Sequence, residues 1–123
     1  MQNDREKFKK EFISRLVRFS IGILAAGEQV KTKRVLWPIV DQIIRSATSI
    51  GANVVEAKSS SSKRDYLHFF EIALKSANET KYWLIVIKES SPEFTSLIEP
   101  LYREVEEISK VLGASVLTLK GKN

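Results

Sequence analysis

Glu56, Glu71 and Glu79 are the residues whose type and spacing come closest to chemistry. Carboxylates on neighbouring helices of a bundle can share metal ions, but such sites use Glu-x-x-His on two of the helices. Neither Glu56 nor Glu79 has a histidine three residues on, and the one histidine, His68, stands before Glu71 in the reverse order. There is no cysteine, which removes thiolate zinc sites, iron–sulfur clusters, disulfides and cysteine nucleophiles together. Neither a Gly-x-Ser-x-Gly turn nor a phosphate-cradling glycine loop is present. The expectation is a protein that is not an enzyme and carries no metal or cofactor. A structural role suits the polar residues better: Arg45, Ser49, Asn53, Glu56, Glu71, Asn78 and Glu79 are expected to satisfy one another between two helices. Buried polar groups must be paired, and such networks can fix helix register.

The cations form the second candidate set. Residues 1–33 hold eight Lys and Arg against four Asp and Glu, which supplies most of the net charge of +5. Lys7, Lys9, Lys10, Arg15 and Arg18, joined further on by Lys31, Lys33 and Arg34, are the candidate nucleic-acid contacts. Clustered cations bind phosphate by releasing its counterions. Simple solubility is the competing reading of a charge of this size. No base-reading motif is recognisable, so recognition through shape or backbone is expected.

These residues must be held by a small fold. A length of 123 residues favours one domain, here the whole of 1–123. Apolar residues make up 43% and charged residues 28%, which argues against disorder. No apolar run approaches the roughly 18–20 residues of a membrane helix, so no membrane partner is expected. The charged start, Met1-Gln-Asn-Asp-Arg-Glu-Lys-Phe, does not read as a secretory signal, and the expected location is cytoplasmic. Five glycines and three prolines leave long uninterrupted segments. Helical periodicity marks four of them, at about 4–26, 36–58, 63–89 and 93–119. Short connections then predict an all-α, antiparallel, up-down-up-down four-helix bundle.

Local signals refine that outline. Gly27 is the expected C-cap of the first helix. That helix carries two apolar seams, one through Phe8, Phe12, Leu16, Phe19 and Ile23 and another through Ile13, Val17, Ile21 and Leu24. Together they exceed the stripe needed to face one core. A second partner is therefore expected, with Phe12, Ile13, Val17, Ile21 and Leu24 at an interface between subunits. The competing arrangement, a helix buried at the centre of the monomer, needs more mass than four helices provide. Trp37-Pro38 opens the second helix. Its strip Gln42, Arg45, Ser49, Asn53 and Glu56, flanked by Ser46, Ala47, Gly51 and Ala52, is expected to be covered by another helix. Ser62 is the expected N-cap of the third helix, with Asp65 completing a capping-box-like pattern. Ser90-Ser91-Pro92-Glu93 separates the third helix from the fourth, which Pro100 is expected either to bend or to divide, marking where its regular part begins.

The segment Asp41-Gln-Ile-Ile-Arg45-Ser-Ala-Thr-Ser49-Ile-Gly-Ala-Asn53-Val-Val-Glu56-Ala57 resembles the signature of the four-helix-bundle proteins encoded in 23S rRNA intervening sequences. Ser62-Lys-Arg-Asp-Tyr66 and Ile72-Ala-Leu-Lys-Ser-Ala-Asn78-Glu79-Thr-Lys-Tyr-Trp83-Leu84 are similar to the same family in order and spacing, and the likeness runs from about Phe8 to Leu119. Some members carry a ribosomal-protein label. The resemblance implies a homopentameric bundle with no established catalytic activity, whose characteristic polar positions fall here on Arg45, Ser49, Asn53, Glu56, Asn78 and Glu79. More remotely, the family is similar to the accessory variability protein of diversity-generating retroelements, a basic pentamer that binds nucleic acid and a reverse transcriptase. Most members place glycine after the motif glutamate, whereas this chain has Ala57-Lys58 and four serines, which leaves the shape of that turn open. The expected function is a homo-oligomer that binds structured RNA or another nucleic acid through its basic surface. The alternative is a scaffold that binds a protein and makes no nucleic-acid contact.

Overall fold

The structure is a computed structural model that describes residues 2–121, with the side chain of Gln2 outside the description. Four helices account for nearly all of it: α1 (Gln2–Val30), α2 (Trp37–Lys58), α3 (Lys63–Ser90) and α4 (Thr95–Leu119). They form an all-α, up-down-up-down antiparallel bundle. Short 3₁₀ turns at Arg34–Leu36 and Pro92–Phe94 lead into α2 and α4.

Alternating steps of three and four residues build the core. Phe12, Leu16, Phe19, Ile23, Ala26 and Val30 are the buried line of α1, and Ile43, Ala47, Ile50, Val54 and Ala57 that of α2. The line of α3 runs through Phe70, Ala73, Ala77, Thr80, Leu84 and Ile87, while α4 contributes Ile98, Val105, Ile108, Leu112 and Val116. Such spacing gives the shallow crossings of bundle packing. Each fully buried Leu or Ile contributes about 1.5–3 kcal/mol of burial.

One boundary expectation changes, and the backbone defines two further local features. First, α1 continues through Gly27 to Val30, because Ala26 and Val30 extend its buried line. Gly27 is not a cap. A Cβ there would lie 3.2 Å from Val40 Cγ1, so the missing side chain lets α2 approach. Second, Pro100 lies inside α4, and the helix runs on without interruption. Its missing N–H would have served the Ser96 carbonyl, and both residues are exposed, where water can take the bond. Third, the turn after α2 needs no left-handed residue, since Gly121 alone among the described residues has positive φ. Ala57, which follows Glu56, is buried within α2, and the serines at 59–62 form the turn beyond it. Ser62 caps α3 as expected, its side chain accepting from the Asp65 N–H at 3.1 Å.

The two ends of the bundle differ. At one end, Lys33 Nζ reaches Ser91 Oγ at 3.0 Å and Glu93 Oε2 at 3.0 Å, tying the α1–α2 connection to the α3–α4 connection. Trp37 Nε1 donates to the Lys31 carbonyl at 2.8 Å at that same end. The other end is open.

Candidate nucleic-acid interface

The structure divides the cations in two. Lys7, Lys9 and Lys10 lie near the start of α1, whereas Lys31, Lys33 and Arg34 lie beyond its far end, about 36 Å away for 24 residues of helical rise. They cannot form one patch on a single chain. Several are also committed. Arg15 donates two hydrogen bonds to Glu104 of α4, Nε to Oε2 at 2.7 Å and Nη2 to Oε1 at 2.8 Å. Those bonds hold the Glu104 carboxyl below its ordinary range and the Arg15 guanidinium above its own. Lys33 is held by Ser91 and Glu93, and the hydrogen bonds on Glu93 keep its carboxyl low. The Arg34 guanidinium rests over the Trp37 ring, 5.6 Å from the centroid. Lys7, Lys10, Arg18 and Lys31 remain exposed and make no salt bridge among the described residues.

At the open end, a cleft of about 1120 Å³ lies between the first turns of α1, the α2–α3 turn and the last turns of α4. Its apolar wall includes Phe8, Phe12, Val54, Tyr66, Phe70 and Leu119. Arg5, Lys9, Lys58 and Lys63 line it as well, against one carboxylate, Asp4. Fold topology brings these cations together from two segments of the chain, the start of α1 and the α2–α3 turn. Lys58 and Lys63 were not among the candidate contacts; the basic composition of the serine-rich turn was their one signal in the sequence.

Val17, Ile21 and Leu24 of α1 are 51%, 59% and 47% exposed, and Ile13 beside them is half-buried. Phe12 differs from that group: it is 7% exposed and belongs to the core. Phe8, by contrast, leaves the core seam expected for it and is 58% exposed.

A family model described as 23S rRNA-intervening sequence protein matches residues 9–114. The chain belongs to that family. A protein of unknown function from the S23 ribosomal protein family of Bacteroides thetaiotaomicron VPI-5482 is 30% identical, with a TM-score of 0.79 over 85% of this chain and 97% of that one. Among proteins with curated descriptions, none matches.

In this 23S rRNA-intervening sequence family member, the polar positions of the signature do not pair as expected. Only Ser49 and Asn53 meet, with Asn53 Nδ2 donating to Ser49 Oγ at 3.0 Å and to the Ser49 carbonyl at 2.8 Å. Arg45, Glu56, Asn78 and Glu79 are exposed, so the strip expected to be covered is mostly open to solvent in the single chain. Glu79 accepts from its own-helix neighbour Trp83 at 3.0 Å, and Glu71 pairs with Lys120 at 3.1 Å. Hydroxyls join α2 to α3 instead, and of these Ser76 and Thr80 were not among the expected network residues. Thr80 Oγ1 lies 2.9 Å from Ser46 Oγ, and Ser76 Oγ lies 3.0 Å from Ser49 Oγ. Small residues at helical spacing were the signal, and they also explain the close approach. His68 is exposed beside Phe69, and among the described residues no three His, Asp or Glu side chains gather as a metal would require. No helix among them is long and apolar enough to cross a membrane.

Proposed function

We propose that the chain is a non-enzymatic, cytoplasmic homo-oligomer, pentameric as the family resemblance implies, that binds structured RNA or another nucleic acid electrostatically. The observation that carries this reading is the excess of cations over carboxylates along α1 as far as Arg18 and around the cleft: exposed Lys7, Lys10 and Arg18, with Arg5, Lys9, Lys58 and Lys63 lining the cleft itself. Val17, Ile21 and Leu24 are the residues through which copies would associate. Five copies at +5 each would present +25, and repetition of weak sites raises avidity by about 10² or more. Arg15 and Lys33 drop out of the contact set because carboxylates hold them.

The test is binding of nucleic-acid-free protein to a labelled structured RNA, titrated from low to physiological salt. Phosphate binding falls steeply with salt. Lys7→Gln, Lys10→Gln and Arg18→Gln together should weaken binding and flatten the salt dependence by about one unit of slope for each cation that no longer meets a phosphate. The exposed apolar stripe on α1 favours a second reading, a protein-binding scaffold. Absence of RNA binding even at low salt would sink the first reading and leave that one.

A further inference from the structure

Phe8 stands between Lys7 and Lys9 and is 58% exposed at the mouth of the cleft. An aromatic ring of that size is costly to leave in water and normally sits in a core or an interface. Here its position is set from behind. The Phe12 ring lies 6.2 Å away and nearly parallel, at 13°, and Phe12 is itself anchored in the core. One side of Phe8 is thus backed by a fixed ring. A second aromatic pair in the lining, contributed by α3, repeats the arrangement, with Tyr66 stacked on buried Phe70 at 4.9 Å and 19°, and Lys9 Nζ placed 5.5 Å from the Tyr66 centroid.

The surroundings select among occupants. Four cations line the cleft against Asp4, so the complementary ligand is anionic. Three of the hydroxyls along it already make hydrogen bonds: Ser60 Oγ donates to the Ala57 carbonyl at 2.6 Å, Ser115 Oγ to the Val111 carbonyl at 3.0 Å, and Ser62 Oγ accepts from the Asp65 N–H at 3.1 Å. Phe8, Phe12, Val54, Phe70 and Leu119 give the apolar wall no side-chain donor or acceptor, and a polar group pressed against it unpaired is penalised. A ligand whose flat face meets the wall, while its polar edges stay in water at the open side, avoids that penalty. An unpaired nucleotide meets each condition, because every base has a π-face and its flanking phosphates are anionic.

We propose that this cleft is a site for unpaired nucleotides, in which a base stacks on Phe8 while Lys9, Lys58 and Lys63 hold the adjoining backbone. The proposal deepens the nucleic-acid reading and rests on it. The preference it creates is for single-stranded segments over continuous duplex, with little discrimination among bases, since no side chain is placed to read their edges.

The experiment compares a single-stranded oligonucleotide carrying one 2-aminopurine with a fully paired RNA duplex of the same length, both at low salt. Phe8→Leu keeps an apolar side chain at an exposed position and removes the stacking face; circular dichroism confirms the fold. The expected result is a loss of about tenfold or more in affinity for the single strand, a change under about twofold for the duplex, and recovery with Phe8→Trp. Stacking also quenches 2-aminopurine in the parent protein, and Phe8→Leu should restore its fluorescence. If Phe8→Leu leaves both affinities unchanged while Lys63→Gln still weakens them, the stacking site is wrong and the phosphate reading survives. Binding of sodium dodecanoate that requires Phe8, with oligonucleotide affinity independent of it, overturns the proposal in favour of an anionic amphiphile. No binding of either oligonucleotide overturns both readings together.

Discussion

Arg15 and Glu104 close a two-bond fork between α1 and α4, with both donor–acceptor distances under 3 Å and each side chain about one-third exposed. The fork places Arg15 in the fold and outside any phosphate-binding surface. Hydrogen bonding from Arg15 lowers the Glu104 carboxyl below its unfolded value. The stabilisation is therefore fully present above the ordinary carboxylate range and is lost as pH falls through the lowered folded value. Partial exposure keeps it small, about 1 kcal/mol or less. Glu104→Gln should melt below the parent at pH 7, and the two melting curves should converge as pH drops below the ordinary carboxylate range. A gap that persists in acid would show that something other than the charge is lost. Arg15→Gln should cost similar stability and leave RNA affinity, corrected for folded fraction, unchanged.

Thr80 and Ser46 make the corresponding contact between α2 and α3, buried and without charge. Thr80→Val keeps the shape and removes the hydroxyl. Ser46 Oγ then retains only its longer bond to the Ile43 carbonyl, at 3.3 Å. A cost of about 0.5–1.5 kcal/mol in urea unfolding is expected. Ser46→Ala with Thr80→Val should cost less than the two single changes added, because the pair disappears without leaving an orphan. Strict additivity would mean that the two hydroxyls do not interact.

The bundle was legible because its periodicity is local. Phe12, Leu16, Phe19 and Ile23 recur every three or four residues, and Ser62 and Pro92 mark the breaks. What failed depended on distances between helices. Gly27 reads as a cap when seen alone, and only the position of Val40 turns it into a packing glycine. Arg15 reads as a free cation until Glu104, 89 residues away, is placed beside it. Arg45, Glu56, Asn78 and Glu79 looked like a mutual network because the face that carries them was expected to be covered, where polar groups must be paired. The small residues between them bring the helices too close for that and hand the contact to Ser46, Ser49, Ser76 and Thr80. The cleft was invisible for the same reason, being assembled from both ends of the chain and the turn near its middle.

Phe12 and Val17 separate folding from association. Phe12→Asp puts a charge in the core, where an uncompensated carboxylate is not tolerated, and should unfold the chain or destabilise it by at least about 3 kcal/mol. Val17→Asp adds a charge on an exposed stripe and should leave helicity and melting of the single chain nearly intact. If the stripe joins copies of the chain, Val17→Asp lowers the mass seen by sedimentation while circular dichroism stays constant. A parent protein that already sediments at 14.0 kDa would remove the stripe's role in self-association.

Gly27 and Gly113 are both interior helical glycines, yet replacement by alanine should move stability in opposite directions. Alanine is favoured over glycine in a helix by about 1 kcal/mol. At Gly113 nothing lies within 4 Å of the added Cβ, so Gly113→Ala should realise much of that gain and raise the melting temperature. At Gly27 the Cβ would lie 3.2 Å from Val40 Cγ1 and 3.7 Å from Ile44 Cδ1, both on α2. Val40 is fully buried and cannot swing aside, so the helices must part by a few tenths of an ångström. Parting them loosens the packing that lets α1 continue to Val30, and the repacking cost should exceed the propensity gain. Gly27→Ala is therefore expected to lower the urea midpoint while Gly113→Ala raises it, with equal m-values. Stabilisation by both would mean that α1 and α2 are free to adjust at Gly27 and that the close approach there does not constrain the fold.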